Sequence, residues 1–235
     1  MTDVMSNVLS SGVGPADGIS VLHLFAKTTS GPVDADRIRD ACAKLVANDG
    51  QLIPVALLGH KADLALMALH ADWVVLRRFQ TEVVAAGVAL VDSYVSVTEM
   101  SEYSIDVPEN QRRLRLYPKL PPAEKPAWCF YPMSKRRNVG ANWYSLSYEQ
   151  RRDLMREHGM SGSKFAGRIA QLVTGSTGLD EFEWGVTLWG EHVDDLKSVV
   201  YTLRYDEGSA VYGEFGTFYV GVTASLDEVF ELIGL

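Results

Sequence analysis

The stretch QLIPVALLGHKADLALMAL, residues 51–69, decides the fold, because it holds two apolar runs separated by a turn. The runs 51–58 and 62–69 each have the length of a β-strand, and the intervening Gly59-His60-Lys61 is typical of a hairpin. The sequence therefore predicts two neighbouring antiparallel strands near the centre of the first half of the chain.

A strand and a helix are predicted on each side of this hairpin. Upstream, Ile19–Ala26 is an apolar run, and the segment that begins at Val33-Asp34-Ala35-Asp36 has apolar residues at helical spacing. Downstream, residues 72–86 return to helical spacing, and residues 89–97 form another apolar run. The first half therefore has the order βαββαβ of a ferredoxin-like module.

The second half of the chain repeats this order. Its predicted strands are 126–133, 168–174, 183–189 and 216–222, and its predicted helices are 147–158, 193–201 and 226–235. The simplest interpretation is an α+β protein with tandem ferredoxin-like modules, whose sheets pack as a dimeric α+β barrel with room for a ligand between or beneath them. The predicted division is a flexible N-terminal arm (1–18), an N-terminal module (19–115) and a C-terminal module that binds the ligand (116–235).

The connection between the modules is basic although the protein is acidic. It contains NQRRLRLYPKLPP, residues 110–122, and its prolines predict an irregular segment instead of a helix. Arginines concentrated in an acidic protein favour contact with an anion.

Composition and charge exclude several classes of protein. With 47% hydrophobic and 22% charged residues, the chain is an ordinary folded protein. Its 22 Lys and Arg against 30 Asp and Glu give a net charge of −8, which disfavours nucleic acid as a partner. Because we find no signal peptide and no apolar run of about 18 residues, we expect a cytoplasmic protein without a membrane anchor. Cys42 and Cys129 have apolar neighbours, so we expect buried, reduced thiols.

The segment FYPMSKRR, residues 130–137, carries the strongest chemical signal. On a strand, Tyr131, Met133 and Lys135 share one face, so a phenol, a thioether and an ammonium group would line the same space. The alternative is an edge strand with a solvated lysine, in which the other two side chains fill the core.

His158 is the second candidate, at the predicted end of a helix that Gly159 would stop. The alternative is an exposed histidine favoured by the helix dipole. The five histidines show no HxxxH or HxH spacing that predicts a zinc site.

These residues belong to a longer pattern that resembles the chlorite dismutase-like superfamily and, within it, the coproheme decarboxylases, which are peroxide-dependent haem synthases. The resemblance covers about residues 19–221 and is strongest in the second half. The matching positions are YPMSKRR (131–137), NWY (142–144), Arg151, Leu154-Met155, His158-Gly159, Gln171, Gly175-Ser176, Gly178-Leu179-Asp180, Glu183-Trp184, Lys197, Arg204 and GTFYVG (216–221).

The resemblance implies that the protein uses hydrogen peroxide to convert iron coproporphyrin III (coproheme), which is both substrate and redox centre, to haem b. His158 would be the axial iron ligand, and Tyr131 would form a radical that oxidises the propionates. Lys135 would place or deprotonate the second reacting propionate. Gln171 stands where chlorite-degrading relatives carry arginine, and it supplies a hydrogen bond without charge.

The resemblance also implies the groups that hold the propionates and the partners of the protein. Substrate contacts are expected from Arg115 (with Arg113 as a rival), Met133, Arg204, Ser209 and Tyr94. For Arg204 and Ser209 the alternative is a surface ion pair with Asp206, Glu207 or Glu214, and for Tyr94 it is strand packing. A homopentamer is implied, with coproporphyrin ferrochelatase as a candidate partner. The competing functions are a chlorite dismutase, a non-catalytic haem carrier, and a protein of this fold that binds no porphyrin.

Overall fold

The computed structural model describes residues 12–28, 31–104 and 108–235. The first half contains the predicted βαββαβ order. Its elements are β1 (Ser20–Lys27), α1 (Ala35–Ala47), β2 (Gln51–Leu57), β3 (Leu64–His70), α2 (Trp73–Ala85) and β4 (Ala89–Thr98). Both helices begin at an aspartate, Asp34 and Asp72, whose side chain accepts a hydrogen bond from a backbone N–H of the first turn.

The second half begins after a short helix, α3 (Glu109–Leu116). Its further elements are β5 (Ala127–Lys135), β6 (Arg137–Asn138), β7 (Ala141–Asn142), α4 (Tyr148–Ser163), β8 (Ile169–Gly175), β9 (Trp184–Gly190), α5 (Val193–Leu203), α6 (Glu207–Ala210), β10 (Gly213–Phe215), β11 (Tyr219–Thr223) and α7 (Leu226–Ile233). The seven helices and the antiparallel pairing of the strands confirm the α+β class for the described residues.

Two sequence-based expectations were wrong: one helix was not predicted, and another was predicted to end too early. The connection 101–125 contains the helix α3, because Pro108 precedes its first turn and Pro118 follows its end, so that no proline interrupts it. The helix that carries His158 continues through Gly159 to Ser163. Gly159 is not left-handed, so it does not act as a helix stop.

Eight strands form a ring of hydrogen-bonded neighbours, which β10 joins at β5, while β6 and β7 pair with each other in a separate sheet. The strand order of the large sheet is β10-β5-β11-β2-β3-β1-β4-β8-β9, and β5 also pairs with β9. Among the described strands, those of the two halves pair at two places, β11–β2 and β4–β8.

The interior of the ring is an apolar cluster to which all eight strands of the closed circuit contribute. Its buried members are Ile19, Val21, Phe25, Ile53, Val55, Ala62, Ala65, Met67, Leu69, Tyr94, Trp128, Phe130, Leu172, Trp189 and Tyr219. Helices pack on the outer side of the ring. α1, α2 and α7 pack on the strands of the first half, and α5 packs on β5 and β9.

The N-terminal part of the predicted arm, residues 1–11, lies outside the described residues. Later residues of the same segment are tied to the module. The N–H of Val13 donates to Asp72, and the N–H of Gly18 donates to the hydroxyl of Tyr117. Both cysteines are buried and unpaired, as expected. Among the described residues, no helix combines the length and apolarity that crossing a bilayer requires.

Candidate functional site

The outer face of β5 carries Tyr131, Met133 and Lys135 together, as the strand period predicts. Strand register extends this face across the sheet, because Tyr131 lies opposite Val186 and Val186 lies opposite Val173. Val173 is 41% exposed, so part of this face has no helix over it.

Gln171 projects from the same face of the sheet. Its neighbour Leu172 points into the ring interior, which turns Gln171 outward, and its side chain is exposed. Gln171 lies opposite Leu188, and Leu188 lies opposite Cys129, one strand period from Tyr131. The structure therefore places the predicted distal glutamine and the predicted catalytic tyrosine on one surface.

Tyr131 is held among aromatic rings and is only 6% exposed. Its ring stacks on Phe218, with centroids 4.4 Å apart, and meets Phe215 edge-on at 5.9 Å. Burial raises the pKa of Tyr131 above its ordinary value, although the positive charge of Arg204 opposes this effect. The phenol is therefore protonated at neutral pH, and oxidising it requires removal of a proton with the electron.

Lys135 is buried, with 7% of the residue exposed, so the alternative of a solvated lysine on an edge strand is wrong. Its Nζ donates to the carbonyl of Gly208 at 2.5 Å and lies 4.3 Å from the ring centroid of Trp143. Burial lowers the pKa of Lys135 to about 8, an effect that the negative charge of Glu183 opposes. This amine can change its charge close to physiological pH.

His158 lies on α4 and faces a buried carboxylate. Its Nδ1 is 3.2 Å from Oδ2 of Asp206, which is 5% exposed, and the hydroxyl of Ser161 donates to Oδ1 of the same carboxylate at 2.7 Å. Burial, aided by the charge of Lys135, lowers the pKa of His158, while Asp206 opposes the shift. A neutral imidazole with its proton on Nδ1, the nitrogen that faces Asp206, keeps the Nε2 lone pair for a ligand.

This donor set suits an iron porphyrin. A ligating histidine usually donates its other ring N–H to a carboxylate or carbonyl, as His158 is placed to do. Among the described residues, no group of three His, Cys, Asp or Glu side chains is arranged to hold a metal ion. A single imidazole is sufficient when the macrocycle supplies the other ligands of the metal.

Sequence reasoning missed Asp206, treating it only as a surface partner for Arg204. No local pattern predicts the contact, because Asp206 and His158 lie on different helical segments. α4 packs against α5 and α6, and this packing brings the two residues together.

The predicted propionate-binding residues divide into two groups. Arg204 follows α5 with its guanidinium 5.0 Å from the ring centroid of Phe215, which itself touches Tyr131. Ser209 is buried in α6 beside Gly208, the acceptor for Lys135. Arg204 and Ser209 thus lie with the cluster around Tyr131, Lys135 and His158.

The other two residues are placed elsewhere. Arg115 and its rival Arg113 are exposed on α3, and Arg115 donates to the hydroxyl of Ser104 at 3.2 Å. Tyr94 lies inside the ring, where its hydroxyl is hydrogen-bonded to that of Ser176. The structure therefore favours the packing alternative for Tyr94, because the ring interior lies behind the face that carries Tyr131.

Comparison with known proteins adds a family and a shared fold. The chlorite dismutase family model matches residues 35–224 of the chain. A heme-binding protein from Thermus thermophilus is 31% identical and aligns over 93% of this chain and 96% of its own, with a TM-score of 0.84. A substituted chlorite dismutase from Candidatus Nitrospira defluvii is 17% identical, with a TM-score of 0.76 over 94% of this chain and 98% of its own. The chlorite dismutase of that organism in complex with imidazole gives 17% identity and a TM-score of 0.73, over 94% and 97% of the two chains.

Proposed function

The chain belongs to the chlorite dismutase family, and on that premise we propose that it is a coproheme decarboxylase. It binds iron coproporphyrin III and, with hydrogen peroxide, converts two propionate groups to vinyl groups, which gives haem b. The iron porphyrin is both its substrate and its redox centre.

One observation carries this proposal: Lys135, on the strand face of Tyr131, and His158 contact the same short segment, through Gly208 and Asp206. Lys135 shares a strand face with Tyr131 and acts on the pKa of His158. With its proton on Nδ1, which lies 3.2 Å from Oδ2 of Asp206, His158 would leave Nε2 for the iron. A protein that only carried haem would need the imidazole but not the oxidisable phenol.

Each residue has a defined task in the proposed reaction. The bound iron porphyrin supplies the reaction with peroxide, which removes electrons from its surroundings. Tyr131 loses an electron and a proton, and the resulting phenoxyl takes a hydrogen atom from the β-carbon of a propionate. Loss of a second electron and of carbon dioxide leaves the vinyl group. Each round consumes one peroxide, which accepts two electrons and two protons and becomes two waters.

Gln171 favours this reaction over the breakdown of chlorite. Its amide donates a hydrogen bond but carries no charge that would attract an anionic oxidant. Peroxide is neutral and needs no such charge.

The remaining parts of the proposal concern the substrate and the assembly. Arg204, Ser209 and Met133 hold propionates beside Tyr131, because a guanidinium binds a carboxylate through two parallel hydrogen bonds. Arg115 is the contact proposed from α3. The ring of strands is the dimeric α+β barrel of two ferredoxin-like modules, and the assembly is a homopentamer, which native mass spectrometry tests.

The decisive experiment mixes the purified protein with iron coproporphyrin III and adds peroxide stepwise. Mass spectrometry of the pigment should show two successive losses, each of one carbon dioxide and two hydrogens. Tyr131→Phe should bind the pigment with an unchanged Soret band and yield no haem b. Tyr94→Phe is the matched control, since it removes a buried phenol from the ring interior, and it should keep the wild-type rate.

Three outcomes would overturn the proposal. Haem b formation by Tyr131→Phe at the wild-type rate would exclude the radical role. Tight binding without any product would assign the protein as a carrier. Oxygen evolution from chlorite would assign it as a chlorite dismutase.

A further inference from the structure

A third buried tyrosine, Tyr219 on β11, is hydrogen-bonded to a carboxylate from the other half of the chain. Its hydroxyl donates to Oδ2 of Asp92, on β4, at 2.7 Å. The ring stacks on Phe25 with centroids 3.8 Å apart, and the residue is 7% exposed. A phenol with a proton acceptor is thus built into the rim of an apolar interior.

Tyr219 also follows directly on a residue that contacts the proposed radical site. The residue before it, Phe218, is the ring that stacks on Tyr131, with planes 18° apart. In the β11–β5 ladder, Tyr219 lies opposite Phe130, which precedes Tyr131. The two tyrosines therefore lie on opposite faces of one pair of hydrogen-bonded strands, and the Phe218 ring packs against Tyr131.

The two phenols differ in whether a base is in contact with the hydroxyl group to accept its proton. Among the described residues, no hydrogen bond involves the hydroxyl of Tyr131, which lies among aromatic rings. Burial and the Asp92 carboxylate raise the pKa of Tyr219, so it too starts as a neutral phenol. Oxidation makes a phenol strongly acidic, and a carboxylate already in contact takes the proton. Tyr219 is therefore the easier of the two to oxidise.

We propose that Tyr219, with Asp92 as its proton acceptor, is a second redox-active tyrosine that takes oxidising equivalents from Tyr131 when no propionate is in place. In this step Tyr219 loses one electron to the Tyr131 phenoxyl and one proton to Asp92. Tyr131 recovers the electron and takes a proton from solvent, so it returns to the phenol. The relay rests on the proposed function for the formation of the Tyr131 radical, whereas the redox character of Tyr219 does not.

The first experiment needs no porphyrin. The full chain is oxidised by a photoexcited ruthenium polypyridyl complex with persulfate, and the frozen sample is examined by electron paramagnetic resonance. The long-lived tyrosyl signal of the wild type should be lost in Tyr219→Phe. Asp92→Asn keeps a hydrogen-bond acceptor but not a base, so it should shorten the radical lifetime severalfold. Tyr94→Phe, which removes a buried phenol bonded to a serine hydroxyl, should leave the signal unchanged.

A Tyr219→Phe signal with the yield and line shape of the wild type would overturn the assignment. An Asp92→Asn radical with the wild-type lifetime would exclude Asp92 as the proton acceptor.

The second experiment tests the relay in protein loaded with haem b, which no longer has the two reactive propionates. Peroxide should produce the Tyr219 radical, and Tyr131→Phe should slow its appearance severalfold. In Tyr219→Phe the bound haem should bleach faster in excess peroxide. The same variant should still decarboxylate coproheme with stoichiometric peroxide. If the Tyr219 radical appeared in Tyr131→Phe at the wild-type rate, the relay would be overturned. Absence of haem b formation, with the photo-oxidation result intact, would overturn the proposed function and the relay but not the redox role of Tyr219.

Discussion

At the residue scale, burial decides the protonation state of each group in the site. Tyr131 stays a phenol and His158 stays a neutral imidazole, because removing either side chain from water disfavours its charged form. Lys135 differs from them, since burial brings its pKa to about 8, where both forms are populated near neutrality. Its contacts are those of an ammonium, because Nζ donates to a carbonyl and lies over an indole ring.

We therefore predict that Lys135 holds a propionate as a cation and does not act as a base. Affinity for coproheme should be constant below the pKa of about 8 and should fall by up to about tenfold per pH unit above it. Lys135→Arg stays charged throughout this range and should bind with no dependence on pH near 8. Lys135→Met should bind weakly at every pH. Fluorescence-quenching titrations check this, and a wild-type affinity that rises with pH would support the base instead.

The lowered pKa of Lys135 also makes the stability of the folded protein depend on pH. The folded state binds its proton on Lys135 less tightly than the unfolded chain, whose lysine has the ordinary value of 10.5. Burial of this lysine therefore costs stability below pH 8, and the cost falls as pH rises from about 8 toward 10.5.

The sequence predicted the site residues that lie close to one another along the chain. Tyr131, Met133 and Lys135 follow the two-residue period of a strand, and this period holds in the structure. Asp206 could not be predicted, because its contact with His158 depends on how α4 packs against α5 and α6.

At the scale of elements, apolar periodicity predicted the strands and most helices. The prolines around α3 and the glycine in α4 led to wrong predictions, because both residue types are typical of helix ends. α3 was missed because its arginines and flanking prolines resemble a loop, although the prolines lie outside the helix. α4 was ended too early because glycine stops a helix only where the chain turns left-handed. Gly159 keeps helical geometry, and in the last turn of α4 the hydroxyl of Ser161 donates to Asp206, at the start of α6.

Gly159 gives a prediction with a matched control. A methyl group at Gly159 meets no atom within 4 Å outside its own helix, so Gly159→Ala should raise the free energy of unfolding by about 0.5–1 kcal/mol. Gly167 also has open space, but its φ is +83°, so Gly167→Ala should lower the free energy of unfolding by a similar amount or more. Urea unfolding of the porphyrin-free protein measures both, and equal effects of the two substitutions would contradict the helical course of α4 through Gly159.

At the scale of the whole molecule, the two halves share one interior. Few strand pairs join them: Val97 and Thr98 pair across β4–β8, and three residues of β11 pair with β2. The apolar cluster inside the ring nevertheless draws on both halves, with Met67 from β3 and Trp128 from β5, both fully buried. The sequence repeat predicted two modules, but it did not predict that β11 of the second would extend the strands of the first.

Because the core is shared, we predict that the halves unfold together. Four of the five tryptophans, Trp128, Trp143, Trp184 and Trp189, lie in the second half, whereas circular dichroism reports on both halves. Met67→Ala, a cavity in the first half, should lower the free energy of unfolding by about 2–5 kcal/mol and move the midpoints from both probes equally. A fragment of residues 116–235 should lack a native near-ultraviolet spectrum, because it exposes the side chains of Trp128, Phe130 and Trp189 that the first half covers. A fluorescence midpoint that Met67→Ala leaves in place, or a fragment that folds alone, would instead mean that each half stabilises its own sheet, and that the interior joins two independent domains.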